Sequence, residues 1–477
     1  MPPPTTGAGP HVAVLAFPFG THAGPLLAVV DRLAALSPAT HFSFLSTPQS
    51  NASAFKNRPS ADASPPANVR AHDVWDGIPE GYELTGRHQE AIELFMSAAP
   101  AGFRQGIAAA EAESGRKVSC LVTDAFYWFA AEMAEELRAP WVGFWTAGPN
   151  ALSAHLYTDR LREALGNVPE VNQVVTFLSL AEAEEAQLGS IVLGMSKIRV
   201  KDLPEGVVTG NLTSIFSTML HNMSTHLPKS AAAVFINSFR GLDPTITDDL
   251  ASRFTTFLNI GPFHLLSPPP PPPNSSSCLP WLDGPNLAPA SVAYVSFGSV
   301  VTPPPHEIRA VAESLEATRV PFLWSLRDHA RAHLPQGFAE RSQGQGQGMV
   351  VPWAPQVEVL GHGAVGVFVT HCGWNSVLES IAGGVPMICR PFFGDQRLNG
   401  RMIEDVWGIG VNLEGGVFSK EGLVGCLDRV LKREEGKRMR ENVGVLKEKA
   451  EEATKPKGSS SDDFCRLVEL VSTTTMP

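Results

Sequence analysis

Short apolar runs alternate with stretches of helical spacing along most of this chain. Residues 11–17 form a nearly continuous apolar run that predicts a buried strand. Leu26, Val29, Val30, Leu33 and Leu36 then recur at three- and four-residue intervals, which predicts a helix. Further strands are predicted at 42–47, 118–124, 141–146 and 234–239, with a helix over 126–137. Strands that alternate with helices imply right-handed βαβ units and a mostly parallel, doubly wound sheet. Beyond residue 280 the alternation resumes, with strands at 292–297, 322–326, 365–370 and 385–389 and helices over 307–317 and 376–382.

The pattern stops between those halves. Six consecutive prolines, Pro268 to Pro273, run into Asn274 and three serines. Such a segment adopts extended polyproline and cannot join a sheet, so it predicts a semi-rigid linker. An SH3-type ligand would look similar, but no basic residue flanks this one. The expected division is a first Rossmann-like half over 1–255, a linker over 256–280 and a second Rossmann-like half over 281–457. A terminal helix over about 458–477 is expected to return to the first half. Two α/β halves that face each other leave a cleft between the carboxyl ends of their strands, where open sheets bind ligands. The run Gln343-Gly-Gln-Gly-Gln-Gly348 imitates a glycine fingerprint but precedes a strand, so a loop is expected. The charged stretch 432–455 carries Val443 and Leu446 on one side and reads as a solvated amphipathic helix.

Composition narrows the class. A chain of 477 residues with 43% hydrophobic and 18% charged residues fills two cores. A net charge of −11 argues against nucleic acid or an anionic membrane as partner. It leaves room for an anionic ligand, since a helix N-terminus holds a diphosphate without any lysine. Six scattered cysteines show no CxxC and no paired spacing, which predicts reduced thiols. The first apolar run is too short for a signal or a membrane span. A monomer in the cytosol, with no integral membrane segment, is expected.

The chemistry concentrates between Trp353 and Gln396. The strand at 365–370 ends in His371-Cys-Gly-Trp-Asn-Ser376, where a helix begins. Gly373 permits a tight turn, Asn375 and Ser376 suit an N-cap, and the free amides beyond the strand make an anion site that His371 can also reach. An ordinary capped helix with a structural histidine would read the same from this hexapeptide alone. His362, His371 and Cys372 suggest zinc only weakly, because neighbouring residues of a strand point to opposite faces and no further ligand pair follows.

The whole span, Trp353-Ala-Pro-Gln356, His371-Cys-Gly-Trp-Asn-Ser376, Glu379, Gly383-Gly-Val-Pro386 and Asp395-Gln396, resembles the 44-residue signature box of plant family-1 UDP-glycosyltransferases. The resemblance implies the GT-B fold, two Rossmann-like doubly wound domains across a cleft, with a UDP-sugar on the C-terminal half. It implies that Trp353 stacks on uracil and that the Ala354 backbone pairs with the base edge. Gln356 and Glu379 would bind the ribose hydroxyls. Ser299, His371, Trp374, Asn375 and Ser376 would surround the phosphates, while Asp395, Gln396 and Thr146 would meet the sugar. A terminal glutamine in this box goes with glucose donors. No Asp-x-Asp triplet occurs, so helix amides and neutral donors, without a metal or other cofactor, are expected to stabilise the leaving diphosphate.

The same resemblance assigns a catalytic base to His22, in Phe17-Pro-Phe-Gly-Thr-His22, and its orienting carboxylate to Asp124. Neutral imidazole can take a proton from a phenolic hydroxyl near pH 7, and a carboxylate on its far nitrogen would fix the tautomer. The implied reaction is an inverting transfer of glucose from UDP-glucose. Segments such as Phe144-Trp-Thr-Ala-Gly-Pro-Asn150 and Arg390-Pro-Phe-Phe-Gly-Asp-Gln396 are most similar to flavonoid and anthocyanidin 3-O-glucosyltransferases. That likeness points Gly20, Gln89, His155 and Phe393 toward the acceptor. Gly20 departs from the hydroxyl residue often found there, which is expected to widen the pocket mouth. A UDP-sugar epimerase of the same fold would need more carboxylates around the sugar. A non-catalytic binder would have no use for both His22 and Asp124.

Overall fold

The fold is that of a computed structural model, which describes residues 9–56, 66–87, 89–165, 188–266 and 278–473. The polyproline run predicted as a linker lies outside the described residues. Two parallel sheets organise the rest.

The first sheet contains β1 (His11–Leu15), β2 (His41–Ser46), β3 (Val69–Asp73), β4 (Cys120–Asp124), β5 (Trp141–Trp145), β6 (Ala233–Ile236) and β7 (Phe257–Asn259), in the order β3-β2-β1-β4-β5-β6-β7. The second contains β8 (Val292–Ser296), β9 (Phe322–Ser325), β10 (Gly348–Val351), β11 (Val365–Thr370), β12 (Met387–Cys389) and β13 (Gly410–Asn412), ordered β10-β9-β8-β11-β12-β13. The expected boundary at 255 falls ahead of β7, which completes the first sheet.

Helices cover both faces of each sheet, so strand residues are buried on alternate sides. Ala13 and Leu15 pack into one cluster with Phe95, Phe103 and Met133, while Val12 and Val14 pack with Leu26, Val30 and Leu33 of the Ala23–Leu36 helix. The second sheet does the same, with Val292 and Tyr294 on one side and Ala293 and Val295 on the other. Near-continuous apolar strands are what burial on two faces demands.

The stretch 432–455 is indeed helical, as Glu434–Thr454, with Val443 and Leu446 buried. The last helix, Ser459–Ser472, lays Phe464, Leu467 and Val471 onto the face that β1 and β2 share. Asp463 in its first turns accepts the Asn259 backbone N–H at 3.0 Å. Two expectations need correction. The Gln/Gly run does not form a plain loop, because the Phe338–Gly344 helix takes its first residues and β10 starts at Gly348. The helix expected from 126 starts only at Ala130, since residues 125–129 are drawn into turns at the end of β4.

Candidate functional site

Each sheet has one place where the strand order reverses. In the first it lies between β1 and β4, in the second between β8 and β11. Adjacent strands there send their connections to opposite faces and open a crevice at their carboxyl ends. Both candidate half-sites stand at these points.

In the first sheet, the loop after β1 brings His22 to the start of the Ala23–Leu36 helix, and β4 ends on Asp124. His22 Nδ1 stands 2.7 Å from Asp124 Oδ2. Asp124 is 1% exposed, and its other oxygen accepts the Phe126 N–H at 3.0 Å. Both carboxylate oxygens are thereby committed. Thr146 Oγ1 lies 3.4 Å from the same imidazole nitrogen. Gly20 has φ +64°, a left-handed conformation that favours glycine, and an added Cβ would stand 3.7 Å from His22 Cδ2.

A row of rings flanks the imidazole. Phe17 and Phe126 lie 5.0 and 4.8 Å from it, centroid to centroid. Phe19 extends the row beyond Phe17, and Trp145 then His155 extend it beyond Phe126. His155 is buried, which pushes its pKa down to about 4 and keeps it neutral. Gln89, at the N-cap of the Glu90–Ser114 helix, and Phe393, 54% exposed, stand outside this row.

In the second sheet, β11 leads into the Trp374–Gly383 helix. Its N-cap is Gly373 and no side chain caps it, so Asn375 and Ser376 sit in the first turn and are not the caps expected of them. The first-turn amides consequently face outward from the strand end. His371 packs between two glycines. A Cβ on Gly373 would fall 2.4 Å from its Nε2, and one on Gly298, which also has φ +70°, would fall 2.9 Å from the ring. Burial lowers the His371 pKa to about 4, so the ring is neutral near pH 7, and its Nδ1 has no hydrogen-bond partner among the described residues. Ser299 is exposed on the adjoining loop.

Farther along, Trp353 is 59% exposed while Ala354 is buried. Gln356 donates to Ser376 Oγ at 2.9 Å and to Glu379 Oε2 at 2.7 Å, and it accepts from the buried Tyr294 hydroxyl at 3.1 Å. Burial raises the Glu379 pKa to about 7, against the opposing bond from Gln356. Asp395 Oδ2 accepts from Asn399 at 2.8 Å, and Gln396 Oε1 accepts the Phe392 and Phe393 N–H groups. Burial also raises the Asp395 pKa, opposed by its Asn399 bond. The two half-sites are also in contact.

Direct bonds lock them together. The Trp374 indole donates to the Asn237 carbonyl at 2.6 Å, and the Asn237 amide donates to Asn375 Oδ1 at 3.0 Å. Trp374 is 4% exposed, and a Cβ on Gly148 of the first half would strike it at 2.7 Å. Its polar atom is thus spent across the interface. Asn399, fully buried, donates to the Cys372 carbonyl at 3.0 Å and accepts from Asn150 at 3.2 Å. Arg401 donates to Asp202 at 3.1 Å. Sequence reasoning missed Asn150, Asn237, Tyr294 and Asn399, because each has a partner 62 to 249 residues away. His362 pairs with Asp283 instead of joining His371 and Cys372, and among the described residues no three His, Cys, Asp or Glu gather as a metal site. Among them, too, no helix is long and apolar enough to cross a membrane.

Two doubly wound parallel sheets, bonded to each other through the segments that follow their strands, define a protein of the GT-B class. Residues 288–450 match the family model described as UDP-glucoronosyl and UDP-glucosyl transferase. The chain is 58% identical to an anthocyanidin 3-O-glucosyltransferase of Vitis vinifera over 98% of both chains. It is also 58% identical to a flavonol 3-O-glucosyltransferase of Arabidopsis thaliana over 97% of both. A crystal structure of a UDP-glucose:anthocyanidin 3-O-glucosyltransferase in complex with UDP superposes with a TM-score of 0.84 at 40% identity, covering 97% of this chain and 98% of that one. The chain belongs to the UDP-glycosyltransferase family of plants.

Proposed function

We propose that this enzyme transfers glucose from UDP-glucose to the 3-hydroxyl of a flavonoid or anthocyanidin, with inversion at the anomeric carbon. The observation that carries the reading is the 2.7 Å contact between His22 and Asp124. With Nδ1–H donated to the carboxylate, Nε2 is left as the acceptor of a proton.

His22 Nε2 takes the acceptor hydroxyl proton as the oxygen attacks the anomeric carbon. The bond from that carbon to the β-phosphate oxygen breaks, and UDP leaves with the electron pair. The α-linked donor becomes a β-glucoside. Asp124 stabilises the imidazolium while it lasts. Amides of the Trp374–Gly383 helix, with Ser299, His371, Asn375 and Ser376, receive the charge that develops on the diphosphate. Exposed Trp353 offers a face for uracil, the Ala354 backbone offers its edge a partner, and Gln356 and Glu379 hold the ribose. Thr146, Asp395 and Gln396 meet the glucose. The aromatic row beside His22, with Gln89, Phe393 and the open position at Gly20, receives the flat acceptor.

The reading assigns the acceptor to the half built on the first sheet, with the C-terminal helix packed on it, and the donor to 281–457. It describes a monomer, and places it in the cytosol, a compartment in keeping with six unpaired cysteines. The test is direct. Incubation with UDP-glucose and a flavonol such as quercetin, with EDTA present, is expected to give UDP and a single β-configured 3-O-glucoside by NMR. Product glycosylated elsewhere, an α-glucoside, or UDP-sugar interconversion without acceptor would overturn it.

A further inference from the structure

We infer that Arg327 positions the loop at 298–302 for the donor's diphosphate and supplies positive charge beside it. The inference rests on the donor reading above. β9 lies beside β8, so the residues that follow β9 stand next to the loop that follows β8. Arg327 comes two residues after β9, and its guanidinium reaches into that loop three times. Nη1 donates to the Ser299 carbonyl at 2.7 Å, and Nη2 donates to the Val301 carbonyl at 2.7 Å and to Thr302 Oγ1 at 2.8 Å.

What it does not touch matters equally. Every one of these acceptors is neutral, and the neighbouring Asp328 turns to Arg331 at 3.5 Å. The cation is thus directed to the loop, and among the described residues no carboxylate pairs with it.

The loop's own position explains the use. Gly298 abuts the buried His371 ring, and Ser299 and Val300 are exposed beside the uncapped N-terminus of the Trp374–Gly383 helix. A loop that meets an anion has a liability in its carbonyl oxygens, which carry partial negative charge. A planar, permanently charged fork that binds two of them removes that repulsion and fixes the loop at once. Lysine could restore the charge but not the fork.

The test separates phosphate from nucleoside. Uridine, UMP and UDP are titrated against the wild-type enzyme, Arg327→Gln and Arg327→Lys by calorimetry, at low and at high salt. Arg327→Gln is expected to weaken UDP binding about tenfold or more and to leave uridine within about twofold, with UMP between them and Arg327→Lys intermediate. Added salt should weaken UDP binding to the wild type more than to Arg327→Gln. Equal weakening of all three ligands would make Arg327 a merely structural residue, and unchanged UDP affinity would also overturn the inference. Should Arg327→Gln fail to fold, the UDP-to-uridine affinity ratio is read on Arg327→Lys and on Thr302→Ala, and an unaltered ratio in both overturns it. Failure of the wild type to bind either UDP or uridine would strike the donor reading itself, a separately visible result.

Discussion

Replacing Asp124 with asparagine keeps the shape of the side chain and removes one charge and one acceptor. The structure shows why both losses bear on the imidazole. Asp124 receives two donors, His22 Nδ1–H on one oxygen and the Phe126 N–H on the other. Asparagine has a single oxygen to share. If that oxygen stays on Phe126, the amide NH2 faces Nδ1, which must then accept, and the proton moves to Nε2, where no base remains. If it turns to His22, a buried backbone N–H loses its partner and the fold is taxed by about 1–3 kcal/mol. In either state the imidazolium formed during transfer has lost its counter-charge. A unit-charge pair about 4 Å apart at an effective dielectric of about 20 is worth about 4 kcal/mol, or about a thousandfold in rate. The assay is kcat with UDP-glucose and quercetin, alongside UDP affinity by calorimetry. A kcat about 10³ lower with UDP affinity within about twofold is expected. A folded variant within about threefold of wild-type kcat would refute the reasoning.

Two other perturbations follow from buried groups. Burial has moved Glu379 from an ordinary 4.5 to about 7, so its contribution to stability is complete below about pH 4 and is lost as the pH rises through 7. Glu379→Gln should therefore gain at most about 3 kcal/mol in denaturant unfolding at pH 8 and little at pH 5, while UDP binding weakens because an ionised acceptor of ribose hydroxyls is gone. A wild-type stability without slope between pH 5 and 7 would contradict the shift. Asn399→Ala removes three bonds at a fully buried position and leaves Asn150 and the Cys372 carbonyl without partners. A loss of about 2–4 kcal/mol in unfolding free energy is expected, with a raised KM for UDP-glucose as Asp395 loosens, and an unchanged KM would deny Asn399 its hold on Asp395.

Much of this fold could be read from the chain, and the reason is physical. β1, β4, β5, β8 and β11 are buried on both faces, so they appear as largely apolar runs. β3 was hidden because it is an edge strand, Val69-Arg-Ala-His-Asp73, with only its first residue buried. β7 and β13 span three residues each, too few to show a period. The Glu90–Ser114 helix runs through Pro100, a residue that sequence rules treat as a stop. At the site, the donor box was legible because its residues lie within one stretch and one connection. Tyr294, Asn237 and Asn399 were not, since a hydrogen bond between distant segments leaves no local pattern. The N-cap falls elsewhere than the sequence suggests for a related reason: Gly373 is a turn former, and it also vacates the space that the His371 ring fills.

The central claim is that an imidazole from one half removes the acceptor proton while the other half holds the activated sugar. His22→Ala tests it most directly, with kcat, UDP affinity and thermal unfolding measured on one preparation. The account predicts that kcat falls about 10²- to 10⁴-fold while UDP affinity and unfolding temperature stay near those of the wild type. Turnover by a folded His22→Ala enzyme at a rate close to wild type would contradict it.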